Sequence, residues 1–144
     1  MFVLDTDSIT HEQEAHPVLS EKVRTTPREF LFTTSVTVEE QVKGRLAYIH
    51  RFRDSPQRIA LGHDDLVNTV LYYRNWSILR YDEDADAIVR GLRKQRVRIG
   101  SQDLRIAAIA LKYAYTLVTS NRRDFVQVPN LNIDDWTVPA RTKT

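Results

Sequence analysis

The stretch from Ile99 to Phe125 constrains the fold more than any other part of the chain. Leu104, Ala107, Ala108 and Leu111 fall on one helical face, and Ile106, Ile109 and Ala110 extend the apolar surface almost all round. Such a helix is buried, and a sheet is the natural surface to cover it. Gly100 and Ser101 break the preceding segment, so Asp103 falls in the first turn with its carboxylate at a helix N-terminus. Thr116 to Thr119 reads as a central strand, and Asn121 to Asp124 as the polar loop at its C-terminal end. Chemistry in α/β sheets collects in such loops. Asp103 and the Asn121/Asp124 pair are therefore the first candidate site residues.

The rest of the chain alternates short strands with helices. Phe2-Val3-Leu4 is apolar without alternation, which predicts a strand buried on both faces, with Asp5 to Ser8 as the following loop. Ile9 to Arg24 is polar, interrupted by Pro17, and gives one or two short helices. Phe30 to Ser35 is the second strand. Thr37 is expected to cap a helix beginning at Val38, with Glu40 completing a capping box. Pro56 breaks that helix, and Asp64 or Asp65 starts another carrying Leu66, Val67, Val70, Leu71 and Tyr73. Trp76 to Tyr81 predicts a third strand, and Asp82 to Arg96 a helix with acids early and bases late. Leu131 to Ile133 reads as a closing strand, with Trp136 packed across the sheet edge. This order predicts a three-layer α/β domain: a small, mostly parallel sheet with helices on both faces. A chain of 144 residues fits one domain, taken as 1–139, with a basic, disordered tail over 140–144.

Composition removes several function classes. With 42% hydrophobic and 28% charged residues the chain reads as an ordinary soluble protein. It has no cysteine, which excludes disulfides and thiolate metal sites. No apolar run approaches the ~20 residues of a membrane span. No basic segment precedes an apolar one at the N-terminus, so a cytoplasmic location is expected. Four glycines leave little scope for a phosphate-cradling loop. The net charge of +2 is small, but bases cluster at Arg90 to Arg98, at Arg45 to Arg58 and at Arg122-Arg123. Each cluster fits a solvated face as well as it fits phosphate contact. His11, His16, His50 and His63 lie at no metal-ligand spacing and read as surface residues. Tyr113, Tyr115 and Trp136 can stack on bases, but packing explains them better.

The acids are more informative than the bases. Asp5 follows the first strand, Glu40 opens the helix after the second, Asp103 opens a later helix, and Asp124 follows a later strand. Right-handed crossovers bring strand C-termini and the following helix N-termini to one sheet edge. These four carboxylates can therefore meet in one crevice, where mutual repulsion raises pKa values unless a cation intervenes. An all-oxygen set favours Mg²⁺ or Mn²⁺ over zinc. Such a centre suits phosphodiester hydrolysis. Asp5-Thr6-Asp7 also fits the first motif of haloacid-dehalogenase-type phosphatases, but the chain has no room for that family's cap and later motifs.

Four blocks, in order, resemble those of PIN domains, and more narrowly the VapC toxins of toxin–antitoxin pairs. They are Leu4-Asp5-Thr6-Asp7, Val36 to Gly44, Ile99 to Ala108, and Leu117 to Phe125, with Val128 to Trp136 similar to the family's closing segment. The resemblance implies a metal-dependent endoribonuclease whose Mg²⁺ or Mn²⁺ is held by Asp5, Glu40, Asp103 and a fourth acid. Gly44 sets the register that selects Glu40 over Glu39. Asn121 stands where many relatives carry Asp, and Asp124 matches the acid before Phe125. Asp7 and Gln41 depart from the usual Asn and Leu. Thr6, Asn121, Arg122 and Arg123 are the candidates for contact with the RNA substrate. The implied partners are a cognate antitoxin and a second copy of the chain, the expected interfaces lying on the helices from Leu46 to Tyr73. The competing reading is a catalytically inert PIN-fold module that binds RNA or protein.

Overall fold

A computed structural model describes residues 1–140. Most of the tail expected from Ala140 onward lies outside the described residues. The sheet is built from β1 (Phe2–Leu4), β2 (Leu31–Thr34), β3 (Ser77–Leu79), β4 (Thr116–Val118) and β5 (Ile133–Asp134), in the order β3-β2-β1-β4-β5. Every pairing is parallel, so the sheet is wholly rather than mostly parallel. The connections are α1 (Thr6–Gln13), α2 (Pro17–Thr25), α3 (Ser35–Arg51), α4 (Pro56–Tyr73), α5 (Glu83–Lys94), α6 (Ser101–Tyr113) and α7 (Arg122–Phe125).

Alternation along the central strands divides the core into two layers. Val3 and Leu117 face a cluster with Ala85, Val89 and Leu92 of α5, Leu104 and Ile106 to Ala110 of α6, and Phe125 of α7. Leu4 and Val118 face the opposite way, toward Ile9 of α1, Leu19 of α2, Tyr73 of α4, Trp76 and Trp136. The two faces of β1 and β4 are thus both dry, as an all-parallel sheet requires. Helix α6 is buried from Ile106 through Ala110, and its three alanines let it sit close to its neighbours. Trp136 closes the other layer, its ring 4.9 Å from that of Phe2.

Several boundaries differ from the sequence reading, each for a local reason. Asp5 to Ser8 is no loop: Asp5 caps α1 directly, its Oδ1 accepting from Ser8 N at 2.8 Å. Helix α3 begins at Ser35, because Thr34 rather than Thr37 is its cap; Thr34 Oγ1 accepts from Thr37 N at 3.1 Å. Glu40 therefore sits in the second turn, and the capping box does not form. Pro56 starts α4 rather than merely ending its predecessor, since a proline is compatible with the first helical turn and Ser55 caps it. Asn121 to Asp124 leads into the short helix α7, and the closing strand is Ile133–Asp134, starting two residues later and ending one later than expected. Trp76 belongs to the core rather than to β3. His16 is also more than a surface residue: its Nδ1 accepts from Leu19 N at 3.2 Å and caps α2.

Candidate active site

Asp5 is the buried anchor of the site. The register sets Leu4 beside Val118, and the next backbone amide, Asp5 N, donates to Val118 O at 3.1 Å. The residue is 3% exposed; its carboxylate accepts from Ser8 N, and the Thr119 hydroxyl favours its ionised form. Burial pushes the Asp5 carboxyl pKa up, and the hydrogen bonds from Thr119 and Ser8 oppose that without cancelling it. Thr119 in turn accepts from Asn121 N at 3.0 Å, so one hydroxyl joins Asp5 to the start of α7.

The other acids come from three separate helices. Glu40 projects from α3 and accepts from the Thr6 hydroxyl at 2.7 Å. The Thr6 proton goes to this carboxylate, leaving its oxygen to accept from Thr37, 3.1 Å away. Asp124 of α7 accepts from Asn121 Nδ2 at 3.0 Å. Asp103 occupies the first turn of α6, whose cap, Gly100, supplies no side-chain acceptor. Its carboxyl is pushed up from 3.8 to about 6, first by partial burial and then by the charges of Asp5, Glu40, Asp7 and Asp124. The helix N-terminus favours the ionised form but does not offset those neighbours.

The charges of Asp5, Glu40, Asp7 and Asp124 all act on the Asp103 carboxyl. Among the described residues, no three metal-ligating side chains are gathered closely enough to hold an ion as they stand. Each of Asp5, Glu40 and Asp124 accepts a hydrogen bond from its own protein donor. The donor set is all oxygen, as a hard divalent cation requires. Arg122 and Arg123 are exposed at the start of α7, beside the acids in sequence but without an ion pair to them. Tyr113 and Tyr115 stack on each other at 5.5 Å, and Tyr115 also packs on Phe32. Sequence reasoning missed Thr119, whose only signal is a polar residue ending an otherwise apolar strand.

No family model matches the chain. It is 31% identical to "Ribonuclease VapC1" of Haemophilus influenzae over 139 residues, covering 95% of this chain and 98% of that protein. Among solved structures, VapBC-1 from nontypeable Haemophilus influenzae matches with a TM-score of 0.75 at 24% identity, over 95% of this chain and 98% of that one. DNA-bound VapBC from Salmonella typhimurium gives 0.75 at 21% identity, over 94% and 97%. Those two likenesses carry the fold. The first carries descent, because it spans nearly the whole of both chains: this chain belongs to the VapC ribonuclease family.

Proposed function

We propose that the chain is an endoribonuclease dependent on Mg²⁺ or Mn²⁺ and the toxin of a toxin–antitoxin pair. Membership of the VapC ribonuclease family supports the reaction class. The single observation that carries the site is that Asp5, Glu40, Asp103 and Asp124 follow β1, β2 and β4 or open α6 at one edge of the parallel sheet, where the neighbouring acids push the Asp103 carboxyl up to about 6. A cluster so short of positive charge is suited to a divalent cation.

In this reading Asp5 and Asp103 are the principal ligands, and Glu40 and Asp124 bind a second ion or orient the attacking water. A bound cation would supply an activated water and offset charge at the phosphodiester. The chain's own groups do the rest. Ser8 N and Thr119 hold Asp5 in one rotamer, Thr6 aims Glu40, and Asn121 aims Asp124. Preorganised anchors of this kind spare the site reorganisation when substrate arrives. Thr6, Asn121, Arg122 and Arg123 are assigned to the RNA phosphates, together with the exposed bases from Arg93 to Arg98.

The proposed partners are an antitoxin protein and a second copy of the chain. Leu46, Leu61, Val67, Val70 and Leu71 are exposed on α3 and α4 and supply apolar surface for them. No helix among the described residues is long and apolar enough to cross a membrane. A cytoplasmic location is part of the proposal.

The test is cleavage of a structured RNA pool with Mg²⁺ or Mn²⁺ by the parent, Asp5→Asn and Asp103→Asn. Metal-dependent cutting abolished in both folded variants is the expected result. Cutting that survives both substitutions overturns the site, and a parent that binds RNA without metal-dependent cutting favours the inert module.

A further inference from the structure

Gln41 is a buried amide on α3, next in sequence to Glu40 and 8% exposed. Its amide is fully engaged. Nε2 donates to Gln13 Oε1 at 3.0 Å and lies 3.3 Å from Thr10 Oγ1. Oε1 accepts from Gln13 Nε2 at 2.9 Å and from the buried Tyr73 hydroxyl. Gln13 and Gln41 therefore form a two-way amide pair between α1 and α3, and Tyr73 ties that pair to α4.

The pair is one end of a longer polar seam. Thr6, Thr10 and Gln13 share one face of α1 at helical spacing. Thr10 donates to Thr6 O at 3.0 Å, and Thr6 reaches Glu40 and Thr37 across the helix boundary. Asp5 caps this same helix. The placement of Glu40 against Asp5 thus depends on how α1 docks on α3. Apolar packing tolerates small slides and rotations, whereas a reciprocal, partly buried amide pair favours one register.

We propose that Gln41, locked by Gln13 and Tyr73, is a positioning residue. It holds Glu40 in a fixed place against Asp5, so that divalent-cation affinity depends on the Gln13–Gln41 amide pair. The proposal rests on the assignment of Glu40 as a ligand.

The test is titration calorimetry of the whole chain with Mn²⁺ at neutral pH, alongside thermal unfolding of each variant. Gln41→Leu keeps similar bulk but removes the amide, and is expected to weaken Mn²⁺ binding about five- to tenfold. Tyr73→Phe removes one hydroxyl and is expected to weaken it about threefold. Thr69→Val breaks the 3.0 Å bond from Arg45 between α3 and α4, and so measures general loosening. Its affinity is expected to stay within about twofold of the parent. Glu40→Gln is expected to lose about tenfold or more. Parental affinity in Gln41→Leu and Tyr73→Phe, with Glu40→Gln impaired, overturns the positioning role. Equal losses in Thr69→Val and Gln41→Leu overturn it as well. Parental affinity in Glu40→Gln sinks the ligand assignment itself. If Gln41→Leu does not fold, Tyr73→Phe decides alone.

Discussion

Asp5 and Thr119 stand side by side just beyond the paired ends of β1 and β4, and the Thr119 hydroxyl favours the ionised form of the Asp5 carboxyl. Both are buried. That hydroxyl also accepts from Asn121 N at 3.0 Å, so it couples the buried acid to the segment that carries Asp124. Replacing Thr119 by Val keeps the shape and removes both bonds. The expected cost is about 1–3 kcal/mol of stability, read from urea unfolding, because a half-buried amide and a buried carboxylate each lose a partner. The Asp5 carboxyl then rises further, and the acid limb of the cleavage profile moves to higher pH. An unchanged profile contradicts the link.

The pH dependence of cleavage follows from Asp103, whose pKa stands at about 6. Cation binding requires the ionised form, so protons compete below that value. Cleavage at subsaturating Mn²⁺ is expected to fall about tenfold per pH unit below about 6, and to recover with added metal. A profile flat down to the ordinary carboxylate range contradicts the cluster.

How much of this is legible in the sequence depends on whether the cause is local. β1, β4 and α6 are readable because apolar runs flanked by breakers leave few alternatives. The all-parallel order follows from alternating strands and helices, and Asp5, Asp103 and Asp124 lie at the strand and helix ends where the sequence places them, whereas Glu40 lies a turn further into α3. The start of α3 is not, since Thr34 and Thr37 are comparable caps. What decides between them is pairing: Thr34 lies opposite Leu79 at the end of β2, so the chain turns helical at Ser35. Thr119 and the part played by Gln41 are not legible for a related reason. Their partners, Asp5 and Gln13, come close only once the sheet and the α1–α3 seam exist.

The α3–α4 hairpin depends on a close approach at Gly62. A Cβ added there would lie 2.8 Å from Ile49 Cγ1 and 3.0 Å from Tyr48 Cδ1. Helix propensity alone favours alanine over glycine by about 1 kcal/mol. The crowding is larger, so Gly62→Ala is expected to destabilise by about 1–2 kcal/mol, measured by urea unfolding. A stabilised variant contradicts the packing.

Cavity formation in α6 is expected to be more damaging. Ile109 is wholly buried in the layer formed with α5, so Ile109→Ala is expected to cost about 2–5 kcal/mol, read from thermal unfolding. A loss under about 1 kcal/mol indicates that the helix is looser than described.

The central claim, that these acids form one divalent-cation site, is tested most directly by thermal unfolding of the parent and Asp103→Asn with and without Mn²⁺. Asp103 has a folded-state pKa of about 6 against an ordinary 3.8. Its contribution to stability is therefore present below the lower value and lost as pH rises through that window. At neutral pH the ionised carboxylate destabilises the metal-free fold, by about 1–2 kcal/mol once solvent screening is allowed for. Asp103→Asn should melt higher than the parent without metal, and Mn²⁺ should raise the parent's midpoint while leaving the variant's almost unmoved. A parent indifferent to Mn²⁺, or a variant that responds equally, contradicts the site.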